Sequence, residues 1–117
     1  MVRHMQEQRI DTIDGSVRGG TGIVRVRYML DGMGEMQGKG RTFCHTVLEP
    51  GAAIGLHRHE GESEFFYLLC GEGEFCDNGD WVRVGRGDVL ATHAGETHAL
   101  RNTGAQPLEF VGLVLFS

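Results

Sequence analysis

The sequence predicts an all-β domain, a sandwich or barrel of short strands, on three observations. Nineteen glycines and only two prolines cut the 117 residues into short apolar runs. No long segment repeats apolar residues at helical spacing, and each run is bounded by a turn signal. A single domain of this length buries roughly two thirds of the surface its unfolded chain exposes, so it needs no staple to fold.

The predicted strands, in order, are Ile23 to Leu30, Arg41 to Leu48, Ile54 to His59, Glu64 to Cys70, Glu72 to Asp77, Asp80 to Val84, Val89 to His93, His98 to Asn102 and Leu108 to Phe116. Asp77-Asn78-Gly79-Asp80 is the clearest hairpin, because Asn-Gly supplies the two positive-φ positions of a type I′ turn. Glu49-Pro50-Gly51 and Gly85-Arg86-Gly87-Asp88 are further turns, with Thr103-Gly104 another. Residues 1–22 read as an N-terminal strand or tail ending in a polar linker, Gly15 to Gly22, and as a segment able to exchange between the subunits of a dimer. Residues 23–117 then form the barrel. Asp31 to Gly40 carries four glycines around Met33 and Met36, the pattern of a surface loop or of a methionine-bearing lid over a pocket.

Composition narrows the chemistry. The formal net charge of −5 argues against nucleic acid and anionic membrane as partners. No stretch approaches the roughly 18 apolar residues of a membrane span. Three cysteines, Cys44, Cys70 and Cys76, and an N-terminus without an apolar run predict a reducing, cytoplasmic setting. Serine occurs only at positions 16, 63 and 117, none in a nucleophile elbow, and Lys39 is the sole lysine. Organic nucleophilic catalysis is therefore disfavoured. The six histidines point instead to metal binding or to acid–base work.

His57 and His59 stand two apart, which on a strand puts both imidazoles on one face and turns Arg58 away. Glu60 to Ser63, with Gly61, can reverse the chain and set Glu64 beside them at the start of the next strand. Two nitrogens and a carboxylate oxygen then converge, a donor set suited to divalent Fe, Mn, Ni or Zn.

The stretch Gly51-Ala-Ala-Ile-Gly-Leu-His57-Arg-His59-Glu-Gly-Glu-Ser-Glu64-Phe-Phe-Tyr-Leu-Leu-Cys-Gly71 resembles the first cupin motif at every fixed position. Gly87-Asp-Val-Leu-Ala-Thr-His93-Ala-Gly95-Glu-Thr-His98-Ala-Leu-Arg-Asn102 resembles the second, with His93 where that family has proline. The resemblance implies a double-stranded β-helix, the cupin or jelly-roll barrel, as a single domain. It further implies one divalent transition metal per chain held by His57, His59, Glu64 and His98, with open positions facing the barrel mouth. Similar cupins include dioxygenases, oxalate-type decarboxylases and sugar isomerases, and the leading expectation is an enzyme of one of these classes, with a small oxygen-bearing substrate chelated at the metal. The alternative is a non-catalytic cupin that binds or senses a small molecule or a metal.

Other residues receive plainer expectations. His45 and His93 read as half-buried strand histidines, and Asn102 as structural. Cys70 shares strand parity with Glu64 and is expected to line the barrel below the metal as a small buried hydrophobe. Arg25, Arg27 and Arg41 read as solvated strand charges, each able to hold a carboxylate bidentately if it faces inward. Phe65, Tyr67 and Leu69 form a second apolar stripe behind the metal face, which predicts a homodimer.

Overall fold

The computed structural model describes residues 1–15 and 17–117; Ser16, within the stretch read as a linker, lies outside the described residues. The described strands are β1 (Arg9–Asp14), β2 (Ile23–Leu30), β3 (Gly40–Leu48), β4 (Ala53–Arg58), β5 (Glu62–Cys70), β6 (Glu72–Asp77), β7 (Asp80–Gly85), β8 (Val89–Thr92), β9 (Thr97–Asn102) and β10 (Leu108–Phe116). They form a six-stranded sheet in the order β1-β2-β3-β10-β5-β8 facing a four-stranded sheet in the order β4-β9-β6-β7. Every pairing is antiparallel, and the fold is a double-stranded β-helix.

Strand alternation decides what lies between the sheets. On β3, β10 and β5 the inward residues meet in register: Leu48 opposes Leu108, Thr46 opposes Phe110, and Phe110 opposes Leu68. Leu48, Leu68, Leu100 and Leu108 are closed off from solvent and, with Val24, Phe66, Phe75 and Leu90, make one continuous core. Each such leucine contributes about 2 kcal/mol of hydrophobic stabilisation.

Four register shifts interrupt the ladders among the described residues, and two of them redirect functional or reactive side chains. On β4, Ile54 pairs with Leu100 and His57 with His98, so three residues on one strand are set against two on the other. The extra residue lies at Gly55-Leu56, and it lets Ile54 and His57 both face inward although they are an odd number of residues apart. On β5, Leu68 pairs with Phe110 but Cys70 pairs with Glu109, so Leu69 is the unpaired residue. That bulge turns Cys70 to the outer face, where its Sγ lies 3.1 Å from the Glu109 carboxylate. The expectation that Cys70 lines the barrel fails for this reason.

β1 pairs with β2 of the same chain. Their connection is closed by the Gly15 N–H donating to the Gly22 carbonyl at 2.8 Å, and it crosses β4, where Thr21 and Ala53 exchange backbone hydrogen bonds. Within Asp31 to Gly40 a single helical turn, α1 (Gly32–Glu35), forms, and Arg3 grips Glu35 through its two terminal guanidinium nitrogens at 2.5 and 2.6 Å. Among the described residues, no helix is long and apolar enough to cross a membrane.

Candidate metal centre

The ligand-type side chains come from three strands and the loop that follows one of them. His57 on β4 faces His98 on β9 as a direct cross-strand pair. His59 lies just past β4, with its backbone N–H bonded to the Glu96 carbonyl at 3.0 Å. Glu64 enters from β5, whose first paired residue is Glu62, two residues earlier than expected, because Glu62 and Ser63 find partners at the end of β10. The outcome is a tight cluster. His59 Nε2 lies 3.0 Å from His98 Nε2, and His98 Nε2 lies 3.1 Å from His57 Nε2. Glu64 Oε1 is 3.0 Å from His59 Nε2 and 3.2 Å from His98 Nε2. All four ligand-type atoms fall within 4.8 Å of one another.

What fixes the rings is the other nitrogen of each. His57 Nδ1 sits 2.7 Å from the Gly55 carbonyl oxygen, and His59 Nδ1 sits 3.2 Å from Glu62 Oε1. The Gly55 carbonyl only accepts, so Nδ1 carries the proton in the neutral His57 ring and Nε2 presents a lone pair to the cluster, whereas His59 stands between two carboxylates, Glu62 at Nδ1 and Glu64 at Nε2. His98 Nδ1 is held at 2.7 Å by the Thr92 hydroxyl. Glu62 is in turn clamped by Arg41, at 2.8 Å from Nε and 2.6 Å from Nη2. This arrangement matches the outer hydrogen bonds that orient metal-ligating histidines.

Electron-rich atoms facing one another at such distances need a cation among them. Donors about 2.1 Å from an ion and at right angles to each other stand about 3.0 Å apart, which is the spacing found here. The donor set therefore fits a divalent ion. Without an ion the proton takes its part: Glu64 raises the pKa of His59, chiefly by hydrogen bonding. Burial alone would raise the Glu64 pKa, but hydrogen bonds from His59 and His98 outweigh it and hold the carboxyl at about 2. Burial pushes His57 down, and the neighbouring charges of His98, His59 and Arg18 push the same way.

Beside the cluster opens a cavity of about 260 Å³. Its walls are largely apolar, with Val24, Val26, Phe66 and Phe110 among them, and His57, His59 and Glu64 form its polar end. The N-terminal segment contributes Ile13, Val17 and Arg18. Met33 and Met36 do not line it, so the methionine lid is not found there.

The remaining sequence expectations resolve individually. His45 is a partly buried residue of the outer face, bonded to Glu109 at 2.9 Å. His93 is exposed rather than half-buried, because its side chain projects from the turn before β9. That turn dispenses with proline: the His93 N–H donates to Glu96 Oε1 at 2.7 Å, a bond proline could not make. Asn102 is structural, its amide donating to the carbonyls of Leu48 and Gln106. Arg58 points outward, as alternation requires. Arg41 lines the cavity, but its guanidinium is committed to Glu62. Sequence reasoning missed Gly55, Glu62 and Thr92 as orienting partners. Only Glu62 left a signal, since it shares parity with Glu64.

A family model described as "Cupin domain" matches residues 44–116. The chain is 44% identical over 100 residues to the oxalate-binding protein of Thermotoga maritima, covering 86% of this chain and 82% of that protein. It is similar along its whole length to the crystal structure of a predicted oxalate decarboxylase from Thermotoga maritima, with 41% identity, a TM-score of 0.94 and 100% of each chain covered. The structure of KdgF from Halomonas sp. shares the fold, with a TM-score of 0.68 at 15% identity over 92% of this chain and 87% of that one.

Proposed function

The chain belongs to the cupin family, and on that premise we propose that it binds one divalent transition metal ion on His57, His59, Glu64 and His98 and holds a small oxygen-rich acid of the oxalate type beside it. The convergence of three Nε2 atoms and one carboxylate oxygen, with Nδ1 of His57 tied to a carbonyl that only accepts and Nδ1 of His59 to Glu62, is the observation that carries this reading. A bound ion would supply Lewis acidity to a chelating carboxylate. The oxalate-binding relative supports the ligand class.

Binding is better supported than turnover. The imidazoles and the carboxylate that line the cavity, those of His57, His59 and Glu64, all belong to the ligand cluster. Of the other acidic side chains that line the cavity, Tyr28 and Cys44 hold their protons more tightly than usual, because burial raises their pKa values. The enzyme reading, oxalate-type decarboxylation ahead of dioxygenase or isomerase chemistry, draws on the predicted oxalate decarboxylase that this fold resembles. Calorimetric titration of the metal-loaded protein with oxalate, paired with a formate assay, decides between them. Saturable binding without formate supports the binder; steady formate release supports the decarboxylase. No binding in any metal form removes both.

The same reading includes a homodimer. Tyr67, Leu69 and Val89 are exposed on the outer face of β5 and β8, an apolar stripe that a second copy would cover. Sedimentation at micromolar concentration tests it, and a monomer refutes it. The three free cysteines suit a reducing compartment.

A further inference from the structure

Two arginines line the cavity, and they differ in what their charges do. Arg41 spends its guanidinium on Glu62. Arg18, among the described residues, makes no side-chain hydrogen bond or ion pair, and it lines the same cavity as His57. An exposed arginine at the mouth of the cavity, without a protein partner, keeps its guanidinium free to pair bidentately with an anionic ligand that enters.

Its position is fixed by construction. Arg18 holds φ 52 and ψ 38, the left-handed region that a residue with a Cβ seldom adopts. The turn around it is seated on β4 so closely that a Cβ on Gly55 would collide with the Arg18 carbonyl oxygen, and one on Gly20 with the Ala53 carbonyl oxygen. Gly55 is also the residue whose carbonyl orients His57. The chain therefore couples the place of Arg18 to that of a ligand-type histidine across one backbone contact.

We propose that Arg18 is a specificity-determining residue that pairs with the carboxylate charge left on a small acid when its other oxygens face the ligand cluster, so that the cavity selects dianionic over monoanionic acids. The proposal rests on the small-acid reading of the site. Charge balance favours it: a divalent ion with one carboxylate ligand leaves a single net positive charge, and Arg18 supplies a second, the complement of a dianion.

The test uses full-length protein loaded with Mn(II), its metal content measured by elemental analysis, and calorimetric titration with oxalate and with pyruvate. Pyruvate keeps a chelating carboxylate and neighbouring oxygen but carries one charge. Arg18→Asn removes the cation and tolerates the left-handed backbone; Arg18→Lys keeps a cation. Arg18→Asn is expected to weaken oxalate about tenfold, the effect of losing one charge-assisted hydrogen bond. Pyruvate affinity should stay within about twofold and metal content unchanged, with Arg18→Lys recovering most of the loss. Equal weakening of both acids, or of neither, overturns the assignment. If the wild-type protein holds metal but binds neither acid, the small-acid reading fails and Arg18 falls with it. If the wild type binds both and Arg18→Asn matches it, only the role of Arg18 is lost.

Discussion

Along β3, β10 and β5 the inward residues run from Leu48, Leu108 and Leu68 at one end of the barrel to Thr42, Val114 and Glu64 at the other. The first end is shut, its leucines out of contact with water. The second opens into the cavity and gathers three histidines and a glutamate. The same alternation runs to both ends of β3, β10 and β5, so along these three strands the difference lies in side-chain chemistry rather than backbone. A packed end contributes stability without regard to ligand, whereas burial of ionisable groups at the other end is costly unless an ion or proton joins them. Stability and binding should then separate on mutation.

The largest expected effect comes from the ligand cluster. His98→Ala and the double variant Glu64→Gln with His59→Ala should each lose most of the bound metal, read by elemental analysis. They should also abolish the thermal destabilisation that a chelator causes in the wild type, since an ion bound only to the folded state stabilises it by mass action. Retention of metal by the double variant would contradict the site. At the shut end, Leu68→Ala should cost about 2–5 kcal/mol in denaturant unfolding, the range for a buried leucine truncated to alanine. Metal affinity of the folded fraction should not change, and a parallel loss of affinity would show that the two ends are not independent.

A smaller effect is expected from the residues that hydrogen-bond the ligand-type histidines. Thr92→Val and Glu62→Gln should lower metal affinity about 10- to 100-fold, the usual result of removing a partner that orients a ligand histidine. Competition titration against a chromogenic chelator reads it.

Proton competition sharpens the comparison further. A ligand imidazole must be neutral, so metal affinity rises with pH and is lost as pH falls. Because Glu64 raises the pKa of His59 in the ion-free protein, the loss should begin above the ordinary histidine value of about 6.5. Affinity that holds steady until well below that value would exclude His59 as a competitor. The smallest effect belongs to Arg58→Ala. This side chain points outward, and the change should leave metal content intact and stability within about 0.5 kcal/mol.

The strand series and the pairing of His57 with His59 on one face were legible because both depend on local spacing. Glycine-bounded runs mark the strands, and residue parity carries His57 and His59 to one face. The resemblance of the two motifs then joined Glu64 and His98 to them. The spacing around β5 misled where the ladder extended it: Glu62 and Ser63 read as turn residues, yet the end of β10 pairs with both. With Glu62 placed in a turn, its hold on His59 and Arg41 stayed hidden.

What tertiary structure alone decided involves contacts between the two sheets and across the β1–β2 connection, together with two local irregularities. The bulge at Gly55-Leu56 sets His57 inward, and the bulge at Leu69 turns Cys70 outward; each shifts parity by one residue, which no period-two pattern can announce. Thr92 reaches His98 only because β8 and β9 belong to opposed sheets. Arg18 reaches the cavity only because the β1–β2 connection folds back over β4. The sequence by itself determined which ligand-type residues gather and, His59 aside, on which strands they lie. The assembled barrel decided which tautomers, charges and backbone contacts surround them, because hydrogen-bond partners and electrostatic neighbours are set by distance in space and not along the chain.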